Sequence, residues 1–151
     1  LPGSDLLRSA TANPRGRAEP SARPLYSNTV LGGAGMDDAM EVFFSAWGDS
    51  DPKSRREKLE WALSPEFSYV DPNSPGHLKD FDALDAYVAM FGQMMPGASA
   101  EVADFTEHHG HARATVNFLK DGKTMMQGQY FGRFAHGGQL AHLVGFTGTG
   151  A

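Results

Sequence analysis

Three glycine-bearing breaks, HHGH at 108–111, DG at 121–122 and GG at 137–138, cut the last third of the chain into four long runs. Asp-Gly and Gly-Gly readily supply the positive φ that tight hairpins need and are strong short-range hairpin signals. The runs, Ala98 to Glu107, His111 to Lys120, Lys123 to Phe134 and Gln139 to Thr147, are long enough for a strongly curved antiparallel meander.

The preceding sequence changes period. From Asp38, the D-x-x-E spacing of Asp38 and Glu41 resembles a capping box, and Met40, Phe43, Phe44 and Trp47 fall on one helical face that Gly48 ends. Asp51-Pro52 offers an N-cap followed by proline at the first helical position, with Leu59, Ala62 and Leu63 together on the next short helix. Ser64-Pro65 stops that helix ahead of a strand, FSYVD, at 67–71. A third helix keeps Phe81, Leu84, Val88, Phe91 and Met95 at three-and-four spacing until Pro96-Gly97 breaks it. The order is therefore α-α-β-α-β-β-β-β. It implies an α+β cone, a curved antiparallel sheet covered by three N-terminal helices around an apolar cavity.

With 151 residues, 40% of them hydrophobic and 21% charged, the chain is sized for one domain, placed at 36–151. Residues 1–35 contain four prolines and no apolar period, and read as an extended arm. The arm's Arg- and Ser-rich character faintly resembles a transit peptide, and equally suits sequence ahead of a natural start at Met36. Its four Arg against Asp5 and Glu19 give +2, leaving −7 of the net −5 on the rest, which argues against a nucleic-acid surface. No run reaches the length of a membrane span and no secretory leader is present, so the expectation is a soluble cytoplasmic protein without a membrane partner. The absence of cysteine removes disulfides and thiolate chemistry, and leaves carboxylate, imidazole, hydroxyl and amide groups. No phosphate-loop pattern occurs, so no nucleotide cofactor is implied.

Among those groups Asp71 is singled out, a carboxylate closing an aromatic strand directly before Pro72. It is either a turn former capping backbone amides or a working base. Alternation sends Phe67, Tyr69 and Asp71 to one face of their strand, and Tyr130, Gly132 and Phe134 to one face of a later one. If both faces look inward, Asp71 and Tyr130 share a cavity marked by Tyr69, Tyr87 and Tyr130 and lined by Phe43, Trp47 and Phe118. His77 falls in the loop after Asp71, at the expected mouth, and His142 interrupts the last strand, facing either the cavity or a dimer interface. His108, His109 and His111 lie at a hairpin tip with spacing that argues poorly for zinc, and no metal site is expected.

The element order over Met36 to Gly148, and the phrase YVDP followed by a loop and the helix DFDALDAYVAMF, resemble the nuclear transport factor 2-like (NTF2-like) superfamily. Ketosteroid isomerases, scytalone dehydratase, limonene epoxide hydrolase and SnoaL-type polyketide cyclases belong to it. The resemblance implies a conical fold, dimerisation through the sheet and a pocket for a small apolar molecule. Asp71 matches the general base of ketosteroid isomerase. The first-helix oxyanion donor of that enzyme falls at Phe43, which has no hydroxyl, and the late-strand acid falls near Tyr130. Steroid isomerisation by the known arrangement is therefore not expected. Two readings stand. One is cofactor-free proton transfer of isomerase, cyclase or dehydratase type by Asp71, on a cyclic or polyketide-like substrate whose oxygen Tyr130 or His142 polarises. The other is a non-catalytic module for ligand binding or dimerisation.

Overall fold

The computed structural model describes residues 35–150, so the expected arm, apart from Gly35, lies outside the described residues. Helix α1 spans Met36–Ser45 and runs into a 3-10 turn, Ala46–Gly48. Its start is closed by Asp38, whose carboxylate accepts from the Gly35 N–H at 3.2 Å, rather than by the expected Asp38–Glu41 pair. Ala39, Met40, Val42, Phe43 and Phe44 are buried. Helix α2, Pro52–Ala62, begins as expected, with Pro52 at its first position and the Asp51 carboxylate accepting from the Ser54 N–H at 2.9 Å. Helix α3, Phe81–Met94, is capped by Asp80, which accepts from the Ala83 N–H at 2.7 Å. It buries only Leu84 and Val88, and Phe81, Tyr87 and Phe91 pack against the core while staying partly exposed. A buried Arg55 on α2 reaches Asp85 of α3 at 2.8 Å and ties the two helices together.

The strands are β1 (Leu63–Val70), β2 (Ala98–His108), β3 (His111–Lys120), β4 (Lys123–Phe134) and β5 (Leu140–Thr147). They form one sheet in the order β1-β5-β4-β3-β2. The β2 to β5 meander is antiparallel, but β1 pairs with β5 in parallel, so the sheet is mixed where an antiparallel one was expected. Strand β1 also starts four residues earlier than the sequence suggested and contains Pro65. As an edge strand whose register shifts between Leu63 and Ser68, it can hold a residue that donates no ladder bond.

Both two-residue hairpins carry positive φ at each central position, His109 (52°) with Gly110 (81°) and Asp121 (54°) with Gly122 (77°). That is the turn twist that matches antiparallel strands. Register shifts at Val102/Asp104, Phe118/Leu119 and Arg133/Phe134 interrupt the ladders and bend the sheet around the helices. Among the described residues no helix is long and apolar enough to cross a membrane.

The core lies between α1 and the concave face, with Phe43, Phe44, Tyr69, Leu59, Leu84, Leu140 and Leu143 fully enclosed. At two glycines backbone meets its neighbour too closely for a side chain. A Cβ at Gly48 would lie 2.8 Å from that of Ser99, and one at Gly145 only 2.4 Å from the Tyr130 ring. Gly145→Ala is accordingly expected to cost about 1–3 kcal/mol of stability. Urea unfolding should show a lower midpoint at unchanged slope, and an unaltered midpoint would mean that Tyr130 has free space beside it.

Candidate functional site

Strand β1 delivers Tyr69 and Asp71 on one face, and Asp71 sits where the strand gives way to the 71–76 loop. The loop folds back on the carboxylate. Asp71 Oδ1 accepts from the N–H groups of Asn73 (2.9 Å) and Ser74 (2.8 Å). The Ser74 hydroxyl in turn accepts from the Asp71 N–H at 3.1 Å. This is the Asx-type turn, formed by the sequence DPNS. The same carboxylate also faces the interior. Tyr69 donates to Oδ2 and Tyr87, from α3, to Oδ1, each at 2.6 Å. The turn reading and the inward-facing reading of Asp71 are thus both present in one side chain.

Tyr130, on the concave face of β4, lies near Tyr69 and Asp71, and each of these two influences its titration. Burial is the largest cause that pushes all three tyrosines upward. For Tyr69 the nearby Tyr130 and Asp71 charges follow, and for Tyr87 the hydrogen bond to Asp71. In Tyr130 the neighbouring Tyr69 opposes the rise. All three hydroxyls therefore keep their protons at neutral pH, and the site is one carboxylate surrounded by neutral hydroxyls.

Trp47, in the turn after α1, stands at the centre of the aromatic interior. Its ring lies 5.3 Å from Phe91, 6.0 Å from Tyr87 and from Phe118, 6.1 Å from Tyr69 and 6.2 Å from Phe43, centroid to centroid. Its Nε1 is buried with no hydrogen-bond partner among the described residues. Sequence reading took Trp47 for apolar lining, and neither this idle donor nor Phe91 was anticipated. The aromatic spacing of α3 was the available signal for Phe91.

Other expected members lie elsewhere. His142 is the Cα partner of Ser68, and the next pair along is Leu143 with Tyr69. Since Tyr69 and Leu143 face the core, alternation turns His142 and Ser68 to the opposite face, and His142 does not meet Asp71. Burial lowers the His142 pKa first, then the Arg133 charge and His77, against a hydrogen bond to the Ser68 backbone that raises it. His77 follows it to the outer face, with Nδ1 3.3 Å from Ser68 Oγ and its ring stacked on His142 at 6.4 Å, instead of standing at a mouth beside Asp71. Phe134 is buried against Phe105, at 6.5 Å, further along β4. At the hairpin tip the Nδ1 atoms of His108 and His109 are 3.3 Å apart. Among the described residues no group of three or more ligating side chains could hold a metal ion.

Neither a protein-family model nor a curated protein matches the sequence. Solved structures do. A SnoaL-like family protein from Agrobacterium tumefaciens superposes with a TM-score of 0.66 at 21% identity, over 74% of this chain and 95% of that one. An NTF2-like protein from Cytophaga hutchinsonii gives 0.55 at 14% identity, over 81% and 95%. A protein with the ketosteroid isomerase-like fold from Catenulispora acidiphila gives 0.56 at 10%, over 75% and 85%. The fold is the NTF2-like cone. In this chain Phe43 of the first helix is fully buried, and the hydroxyls of Tyr69 and Tyr87 converge on the carboxylate.

The raised tyrosines have a consequence at high pH. A folded pKa above the ordinary value means that the folded state holds its proton more tightly, a stabilisation present below about pH 10 and lost as pH rises further. Tyr69, Tyr87 and Tyr130 should therefore be silent in an ultraviolet titration near pH 10, and ionise together with loss of the near-ultraviolet dichroism. Ionisation of these three before unfolding would contradict the network.

Proposed function

We propose that this NTF2-like domain is a cofactor-free proton-transfer protein, of isomerase, cyclase or dehydratase type, with Asp71 as its base. Its substrate is a small apolar cyclic or polyketide-like molecule carrying a carbonyl. The observation that carries this reading is the Asp71 carboxylate, held by two tyrosyl hydroxyls at 2.6 Å at the rim of an aromatic interior. The SnoaL-like and ketosteroid isomerase-like fold neighbours add support by analogy only.

The two carboxylate oxygens differ. Oδ1 takes three donors, whereas Oδ2 takes only Tyr69 and retains acceptor capacity. Oδ2 is therefore the atom that receives a proton from carbon next to the carbonyl. The C–H electrons move into the carbonyl to form an enolate, and the proton held on Oδ2 returns to a second carbon. No oxidant, reductant or further reactant is consumed. The Tyr69 and Tyr87 protons are already committed to Asp71, and Trp47 Nε1, a donor without a partner among the described residues, serves the enolate oxygen. Tyr130 stands near Asp71 as a neutral hydroxyl, and His142 takes no part.

The test is the conversion of cyclohex-3-enone to its conjugated isomer, followed by ultraviolet absorption, alongside 2-naphthol binding by fluorescence. Asp71→Asn keeps the size of the side chain and one acceptor oxygen. It is expected to slow isomerisation about 10²–10⁴-fold while leaving naphthol affinity and Tm close to wild type. If the wild-type protein binds naphthol but does not accelerate the reaction, the site is a binding pocket and the catalytic reading fails.

The outer face of the sheet supports a second proposal, a homodimer through that face. Phe131 and Phe146 remain 45% and 53% exposed while packing edge to face at 5.8 Å. They border a concavity of about 570 Å³ that also holds Asp104, Arg113, Thr115 and Gln129. Gln129 donates to Thr115 Oγ1 at 2.6 Å, while its buried Oε1 has no partner among the described residues. A second copy related by a twofold axis can set Arg113 against Asp104, bury the phenylalanines and supply a donor to Gln129. Light scattering should give twice the chain mass, and Phe131→Lys should give the monomer. A monomeric wild-type protein would end this proposal.

A further inference from the structure

One transverse row on the outer face of the sheet gathers basic side chains from successive strands. His108 is the Cα partner of His111, His111 of Arg133, Arg133 of His142, and His142 of Ser68, so the row crosses all five strands. Directly opposed partners point to the same face, and neighbouring strands are only about 4.8 Å apart. His77 closes over the β1 end, 3.3 Å from Ser68 Oγ and stacked on His142 with the ring planes 21° apart.

In a chain of net charge −5 this concentration is opposed by little negative charge. None of the ion pairs among the described residues engages Arg133. On β1, alternation places Glu66 on the same face, two residues before Ser68, and it is exposed. Glu107, beside His108, is held at the hairpin tip by the Gly110 N–H at 3.0 Å. Exposed Lys79 adds positive charge beside the row, and Arg113 shares the adjoining concavity with Asp104. His142 lies beside Ser68, its Cα partner on β1.

We propose that Arg133, His142 and His77, with the Ser68 hydroxyl, form a binding site for a dianionic oxyanion such as a sulfate or phosphate group, one that fills as the imidazoles take up protons. The guanidinium offers a fork of N–H donors matched to two oxygens of such an anion. The imidazoles offer one donor each, and their protonation adds charge that the anion offsets. In the empty site burial and Arg133 disfavour the charged form of His142. An anion bound between them must by linkage raise the His142 pKa.

Sulfate is the probe, because it stays dianionic across the range in which histidine titrates and so reports changes in the protein alone. Imidazole Cε1–H resonances of the full chain are followed during sulfate addition at constant ionic strength, with sodium chloride as reference. His77→Gln and His142→Gln assign the signals. Saturable shifts at both rings are expected, with affinity about tenfold higher near pH 5.5 than near pH 7.5, and a higher His142 midpoint in sulfate. Arg133→Gln should weaken binding about fivefold or more at unchanged Tm. The site is refuted by equal shifts with chloride, by an affinity flat in pH, or by an Arg133→Gln variant that binds as wild type.

Discussion

A carboxylate at the end of a core-facing strand is tolerable only where enough donors surround it, and Asp71 meets that condition with four. The donors come from three places. Tyr69 belongs to the strand, Asn73 and Ser74 to the loop that follows, and Tyr87 to α3. One side chain thereby fixes where the chain leaves the sheet, how it turns and how the third helix sits over the aromatic interior. Helix α3 depends on this, since it buries only Leu84 and Val88 and is otherwise held by the Arg55–Asp85 and Arg56–Asp82 pairs and the half-buried aromatics. The group that anchors the lightest-packed helix is also the carboxylate at the rim of the aromatic interior.

The interior around it is a problem of space. The Phe44 and Tyr130 rings meet at 4.8 Å, and Trp47 meets six other rings at the near end. A flat sheet could not wrap these side chains. The three register shifts bend it, and Gly145 on the neighbouring strand withdraws its side chain so that the Tyr130 ring can lie across β5. With that ring in place, Tyr130 lies near Tyr69 and Asp71. The grouping of tyrosines about the carboxylate is thus a consequence of curvature, and a small change at a glycine acts on it without touching a polar atom.

Local chemistry made most of the fold legible. Asp121-Gly122 wrote its own turn, Asp51-Pro52 its own helix start, and the apolar spacing of α1 its buried face. His109 in a positive-φ turn was found by its partner Gly110 rather than by itself. What failed was non-local. Nothing in FSYVD says that the strand will lie parallel to the last one, because that pairing is decided by how the α3 crossover returns to the sheet. Pro65 looked like a stop because the edge position and the register shift that accommodate it are invisible in one strand. The Asp71–Tyr69–Tyr130 grouping was legible through period two. The position of His142 was not, because a strand of LAHLVGF can present either face, and only its register against β1 chooses.

That choice of face separates two chemistries in one layer of backbone. Ser68 and Tyr69 are adjacent residues, yet the first stands among imidazoles and a guanidinium while the second stands among aromatic rings and donates to a carboxylate. Leu143 and His142 repeat the division on β5. The concave side is largely aromatic, so a carboxylate there needs internal donors, and the neutral Tyr69 and Tyr87 supply them without adding a charge. On the convex side His77 and Arg133 are exposed, so that row can carry cations at small cost, since solvent screens them. A histidine moved by one residue to the concave side would lose that solvation and compete with Tyr69 for the carboxylate. The register shift in β1 between Leu63 and Ser68 keeps the two sets apart, because it brings the strand back into phase with β5 at the level where Asp71 begins its turn.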